Sequence, residues 1–242
     1  MRRKYFSILL ITGIILIGAA ALISCNGDKQ DTVGEINGEP VPAGMYKMVR
    51  DAEIAAVYQY FYNEYGVSDG STFWSDTHGD ENPLDYLNKL AIETCTEIFV
   101  VRQLAKEMKI LKDTRYSTFL DEYNRENKRR EEAVAKNEVI FGPVRYREYD
   151  YFRYVLSNTV IEIKRIMKNG VNLADDEELA AYVDEKLANR IYEQTNPDYE
   201  KEKANFLDSF IDLKYGDKLV TLVDEAIINF NEDKINGIPV RE

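Results

Sequence analysis

Residues 82–110 read Asn-Pro-Leu-Asp-Tyr-Leu-Asn-Lys-Leu-Ala-Ile-Glu-Thr-Cys-Thr-Glu-Ile-Phe-Val-Val-Arg-Gln-Leu-Ala-Lys-Glu-Met-Lys-Ile. Asn82 suits a helix N-cap and Pro83 the first helical position, where a missing N–H breaks no helix hydrogen bond. Leu87, Leu90, Ala91, Cys95, Ile98, Val101, Ala105 and Met108 then recur at steps of three and four, the period of one helix face. The spacing predicts a long helix with a continuous apolar stripe, which neighbouring segments must cover. Cys95 lies on that stripe and is expected to be buried packing rather than a reactive thiol.

Upstream, Val33-Gly34-Glu35-Ile36 alternates like a short strand, and Asn37-Gly38 is a strong turn signal. Pro42 suits the first turn of a helix that runs from Ala43 to Tyr65 and stops at Gly66. Val67 to Glu81, with Gly70, Gly79, Trp74 and the chain's one histidine, His78, reads as a polar loop. Downstream, a third helix is expected over about Thr114 to Lys136. Its charge density, from Asp121 and Glu122 through Arg130 to Glu132, suggests a solvated arm rather than a core element. Phe141-Gly142-Pro143 breaks the pattern before a fourth helix, Arg145 to Lys168, ending at Asn169-Gly170. A fifth, capped by Asp175 or Asp176, extends to Tyr192, and a last one begins at Pro197. Ile227 to Phe230 suits a short closing strand. The expectation is a mainly α fold of about six helices with short terminal β-strands.

The first 24 residues differ from the rest. Arg2, Arg3 and Lys4 precede an apolar run from Tyr5 to Ile23, and Leu22-Ile23-Ser24 stands directly before Cys25. This resembles a bacterial lipoprotein signal. The resemblance implies cleavage before Cys25 and a covalent diacylglycerol on its sulfur, with residues 25–32 as a polar tether and an extracytoplasmic protein lipid-anchored to the bacterial cell membrane. More than one acyl chain gives a lasting anchor. The alternative is an uncleaved membrane helix, since the run approaches the roughly 20 residues that span a bilayer.

The whole chain carries 31 basic and 43 acidic residues, a net charge of −12. Cleavage would remove three of the basic ones and take the mature chain to −15. That balance argues against nucleic acid and against docking on anionic lipid through the protein surface. With Cys25 alkylated, Cys95 is the only thiol left, so stability must come from packing.

The order of elements resembles the chaperone domain of PrsA/SurA-type foldases, related to the peptide-binding part of trigger factor. The likeness rests on Val33 to Val41 before a helix, on the long helix ending Leu104-Ala105-Lys106-Glu107-Met108-Lys109-Ile110, on the acidic helix start at Asp175 to Tyr182, and on the closing stretch Tyr215 to Ile235. It spans residues 33–242 as one domain. In that family a parvulin-type prolyl isomerase domain is usually inserted after the acidic helix. Here Tyr192 is followed almost at once by Pro197, and His78 stands alone, so isomerase activity of that kind is expected to be absent. The resemblance then implies a holdase that binds unfolded or nascent exported polypeptides without covalent chemistry. The competing expectation is a structural or assembly lipoprotein binding one envelope partner, and a second copy of the chain is a further candidate partner.

No catalytic or metal-ligating set is expected. His78 beside Asp76 and Asp80 lacks the three or four converging ligands of a zinc site. Asp175 to Glu178 lacks a calcium-loop pattern and suits a helix N-terminus. No glycine-rich phosphate loop and no Ser/His/Asp arrangement is evident, and no cofactor beyond the diacylglycerol on Cys25 is implied.

Aromatic residues cluster at the end of the first helix (Tyr58, Tyr60, Phe61, Tyr62, Tyr65) and the start of the fourth (Tyr146, Tyr149, Tyr151, Phe152, Tyr154). Helix positions stand about 100° apart, so such neighbours cannot all face one core stripe. Tyr58, Tyr62, Tyr65, Tyr149 and Phe152 are the candidate client-binding residues; half-buried aromatics sealing interhelical edges are the alternative.

Overall fold

The computed structural model describes residues 31–68, 70–173, 176–188 and 199–240. The expected signal peptide, Cys25 and nearly all of the tether fall outside them. The tether ends earlier than expected, since Thr32 already belongs to a strand and the Asp31 carbonyl accepts the Ala43 N–H at 2.7 Å.

Strands β1 (Thr32–Ile36) and β2 (Glu39–Pro42) form the hairpin that Asn37-Gly38 signals, and both turn residues take positive φ, 52° and 76°. Helix α1 (Ala43–Tyr65) ends where Gly66 adopts the left-handed conformation at φ 66°. Pro42 sits one residue earlier than expected, closing β2 in an extended conformation just outside the helix. Helix α2 (Pro83–Glu107) begins as expected, with the Asn82 side chain accepting from the N–H groups of Leu84 and Asp85. Then come α3 (Tyr116–Ala135), α4 (Glu148–Asn169), α5 (Glu177–Ala188) and α6 (Tyr199–Asp224), and finally strand β3 (Ile228–Phe230) and short helix α7 (Glu232–Asn236). Asp176 caps α5 by accepting the Leu179 N–H at 2.8 Å.

The described residues thus form a mainly helical fold of seven helices with a small antiparallel sheet of order β2-β1-β3. The seventh helix, α7, was not expected, because five residues carry too little periodicity to be read.

Helix α2 is the spine. Ala91, Cys95, Ile98 and Phe99 join the sheet and α1 in the main core, Val101, Leu104 and Ala105 meet Ile163 of α4 and Tyr215 of α6, and Leu87 meets Val57 and Phe61 of α1. A further cluster joins Leu179 and Val183 of α5 to Leu207, Phe210 and Ile211 of α6. Phe99, Val100 and Leu104 are buried outside the expected stripe, because elements cover α2 on several sides.

Two expectations are corrected. Helix α3 is not simply a solvated arm. Tyr116 and Phe119 in its first turns belong to the main core, where Phe119 packs edge-on against Phe152 at 5.1 Å, and the charged remainder hides a buried Asn127, Arg130 and Ala133. The stretch between α1 and α2 is not a plain polar loop. Its Phe73 is buried against Tyr58, Phe61 and Trp74, closing the far end of the α1–α2 pair.

Candidate functional site

The aromatic residues proposed to hold a client do not share one concave surface. On α1, Tyr58 packs against Phe73 at 4.6 Å and Trp74 at 5.2 Å, and with Tyr62 and Val67 it lines a shallow recess. Tyr62 is 61 % exposed. Tyr65 is partly exposed and donates its hydroxyl to Glu81 at 3.0 Å; Glu81 also accepts from Tyr60 at 2.7 Å, which pushes the Tyr60 pKa up to about 12. On α4, half-buried Tyr149 lines a different recess with Met48, Ala52 and Tyr116. Phe152 is corrected outright as a surface residue. It is 2 % exposed and belongs to the core, because its position places it between α2 and α3.

Among the described residues the most exposed large apolar side chains lie in the turn between α3 and α4: Val139 is 85 % and Phe141 88 % exposed, and Val144 in the same turn, Val134 on α3 and Tyr154 on α4 are exposed as well. An apolar tip of this kind would ordinarily collapse onto the nearest helix, and here a polar scaffold beneath it fixes the backbone instead. Arg130, itself buried, donates from Nε to the Pro143 carbonyl at 2.7 Å and from Nη2 to that of Phe141, while its guanidinium lies over the Tyr146 ring at 4.7 Å. Asn127 clamps Tyr146 from both sides, accepting its N–H at 2.8 Å and donating to its carbonyl at 3.2 Å; Tyr123 donates to the same carbonyl. A neutral bond of this kind contributes about 0.5–1.5 kcal/mol net and one to a charged group about 1.5–3 kcal/mol. Left-handed backbone at Asn137 and Gly142, φ 59° and 83°, completes the turn.

Val139 and the rest of this tip are not among the residues that the sequence singles out for client binding. The usable signal was the apolar run Val139-Ile140-Phe141 immediately before Gly142-Pro143, a place where a solvated turn calls for polar residues.

Around His78, Asp76 is occupied by a 2.6 Å hydrogen bond from Thr72, and His78 packs on the rings of Phe61, Tyr65 and Phe73. Among the described residues no three His, Cys, Asp or Glu side chains converge as a metal ion would require.

Cys95 is fully buried, and desolvation pushes its thiol pKa up to about 12. Thiolate is the reactive form. Iodoacetamide at pH 8 is therefore expected to leave Cys95 unmodified in the folded protein and to alkylate it fully in denaturant, as intact mass would record; rapid native modification would contradict the packing role.

No protein-family model, no curated protein and no solved structure matches the chain.

Proposed function

We propose that the chain is a membrane-anchored extracytoplasmic holdase that binds unfolded exported polypeptides without prolyl isomerase turnover, a chaperone domain of the PrsA/SurA type lacking the parvulin module. The observation that carries this reading is the exposed apolar tip of the α3–α4 hairpin, where Val139 and Phe141 stand in solvent above a scaffold built by Arg130 and Asn127. Exposed apolar surface favours aggregation, and a protein keeps it where it serves contact. Tyr62 and Tyr154 add further exposed aromatic area on α1 and α4, so an extended client can touch several weak sites at once. In this reading attachment rests on the diacylglycerol at Cys25; among the described residues no helix is long and apolar enough to cross a membrane.

One observation favours the second reading, a lipoprotein that holds one dedicated envelope partner. The tip backbone is tightly fixed, whereas promiscuous surfaces re-pack readily. Fluorescence anisotropy of a labelled, permanently unfolded polypeptide separates the two. Micromolar binding, weakened at least tenfold in the Val139→Ser/Phe141→Ser variant, is the expected result. Both side chains are solvent-exposed, so the variant should keep the parent's unfolding midpoint. No binding at high protein concentration would move the assignment to the dedicated-partner reading.

A further inference from the structure

A cavity of about 440 Å³ lies where α2, α3 and α4 meet the segment 110–115. Its walls are largely apolar, with Phe119, Phe152, Val155 and Leu156 prominent, and its size falls in the range of small-molecule sites. The polar groups at its edge are mostly engaged. Asp113 is bound by Arg115 at 2.6 Å and accepts from Thr118 at 2.7 Å, and Thr159 donates to its own helix at Val155.

Arg102 differs. Its guanidinium lies 5.5 Å from the centroid of the Phe152 ring, and among the described residues its hydrogen bonding is a single donation from Nη2 to the Thr114 carbonyl at 2.6 Å. No carboxylate of the described residues comes within ion-pair distance of it, although Glu39, Asp113 and Glu122 are close enough to act on its charge. A guanidinium carries five N–H donors in a planar fork matched to a carboxylate. Beyond the Thr114 bond that fork has no partner among the described residues and stays within reach of solvent, so a carboxylate entering the cavity can take the place of water on it.

The lining carries Arg102, Lys112 and Arg115 against Asp113 and Glu122, one net positive charge, while Glu39 outside it also acts on Arg102. Glu122 is exposed, so its repulsion of an entering anion is screened by water.

We propose that this cavity binds an apolar group ending in a carboxylate, with Arg102 taking the carboxylate and the Phe119, Phe152 and Leu156 side chains the apolar part. The site does not depend on the holdase reading. Two sources supply such chemistry, a small free acid and the C-terminal end of a polypeptide.

The test is calorimetric titration of the purified full chain with 3-phenylpropanoate and with acetyl-Gly-Ala-Phe, each compared with its amide. Both acids, or one of them, should bind with Kd below about 1 mM. Each binding acid should exceed its amide at least tenfold. Binding by the peptide alone assigns a polypeptide terminus, and binding by phenylpropanoate, with or without the peptide, assigns a small-acid site. Arg102→Gln should abolish the preference for acid over amide, while Arg102→Lys should retain part of it. Equal affinity for acid and amide, or no binding of either acid at 10-fold higher concentration, would overturn the proposal. The acid–amide comparison is made on the unaltered chain, so it holds even where a variant fails to fold.

Discussion

Replacing Arg50 by alanine is expected to lower the stability of the folded chain by about 3–5 kcal/mol, because it takes the donor from three carbonyls and leaves a cavity where a large buried side chain stood. Arg50 is completely buried in the first half of α1, over the face of Tyr46. Its guanidinium donates from Nη1 to the carbonyls of Ile235 and Ile238, at 3.3 and 3.0 Å, and from Nη2 to Pro239 at 2.8 Å. These acceptors lie in the last turn of α7 and just beyond it, and the Ile235 carbonyl also accepts the Ile238 N–H at 3.3 Å. Burial lowers the Arg50 pKa, yet an arginine keeps its proton in proteins, so the charge must be satisfied in place. One side chain of the N-terminal half therefore fastens the C-terminal tail along α1, with Ile238 joining the main core and Val240 the Phe61–Phe73 cluster. Arg50→Lys should lose less, since an ammonium keeps the charge but cannot span three carbonyls. Urea unfolding measures the loss, and limited proteolysis should cut first at the freed tail. A loss under about 1 kcal/mol would show that the tail is held by its apolar contacts instead.

Gly34→Ala should cost about 2–3 kcal/mol through overpacking, although it adds one methyl group. Gly34 occupies the central strand β1, opposite Phe230. A Cβ there would sit 2.5 Å from the Asn229 carbonyl oxygen and 2.9 Å from the Phe230 Cα, and neither backbone atom can rotate away. Strand β3 must move, along with the contacts that fix it: Asn231 N–H to the Val33 carbonyl, Asn37 N–H to the Ile227 carbonyl and Ile227 N–H to Asn37 Oδ1, each at 2.8 Å. Amide exchange should accelerate in residues 228–230 and at Asn37 while α5 and α6 keep their protection. Arg50→Ala and Gly34→Ala release the same C-terminal segment, so the double variant should lose less than the sum of the two. Full additivity would mean that strand and tail close independently.

The sequence was most readable where one strong local signal sufficed. The Asn82-Pro83 start of α2, the Asn37-Gly38 turn and the stop at Gly66 each follow from backbone chemistry that needs no partner. What escaped depends on distant partners. Arg50 reads as a charge on a helix, and only the tail 185 or more positions later makes it an anchor. Charge density on α3 concealed Tyr116 and Phe119 as core residues, because mean polarity averages away the few positions that face inward. The expected client surface was legible in composition but not in geometry: Tyr62 and Tyr65 are open, Phe152 is interior, and the α1 and α4 groups line separate recesses. Arg102 gave no signal at all in sequence, since its meaning lies in the cavity around it.

The correction to Phe152 changes how the function should be probed. Substituting it would damage the core and imitate a loss of binding, whereas Tyr62, Val139, Phe141 and Tyr154 can each become serine without disturbing buried packing. The most direct measurement is suppression of the aggregation of a chemically unfolded model protein by the soluble chain beginning at Asn26, at near-stoichiometric ratio, beside that fourfold serine variant verified as folded. The holdase account predicts clear suppression by the parent and little by the variant. No suppression by the parent at large excess would contradict it.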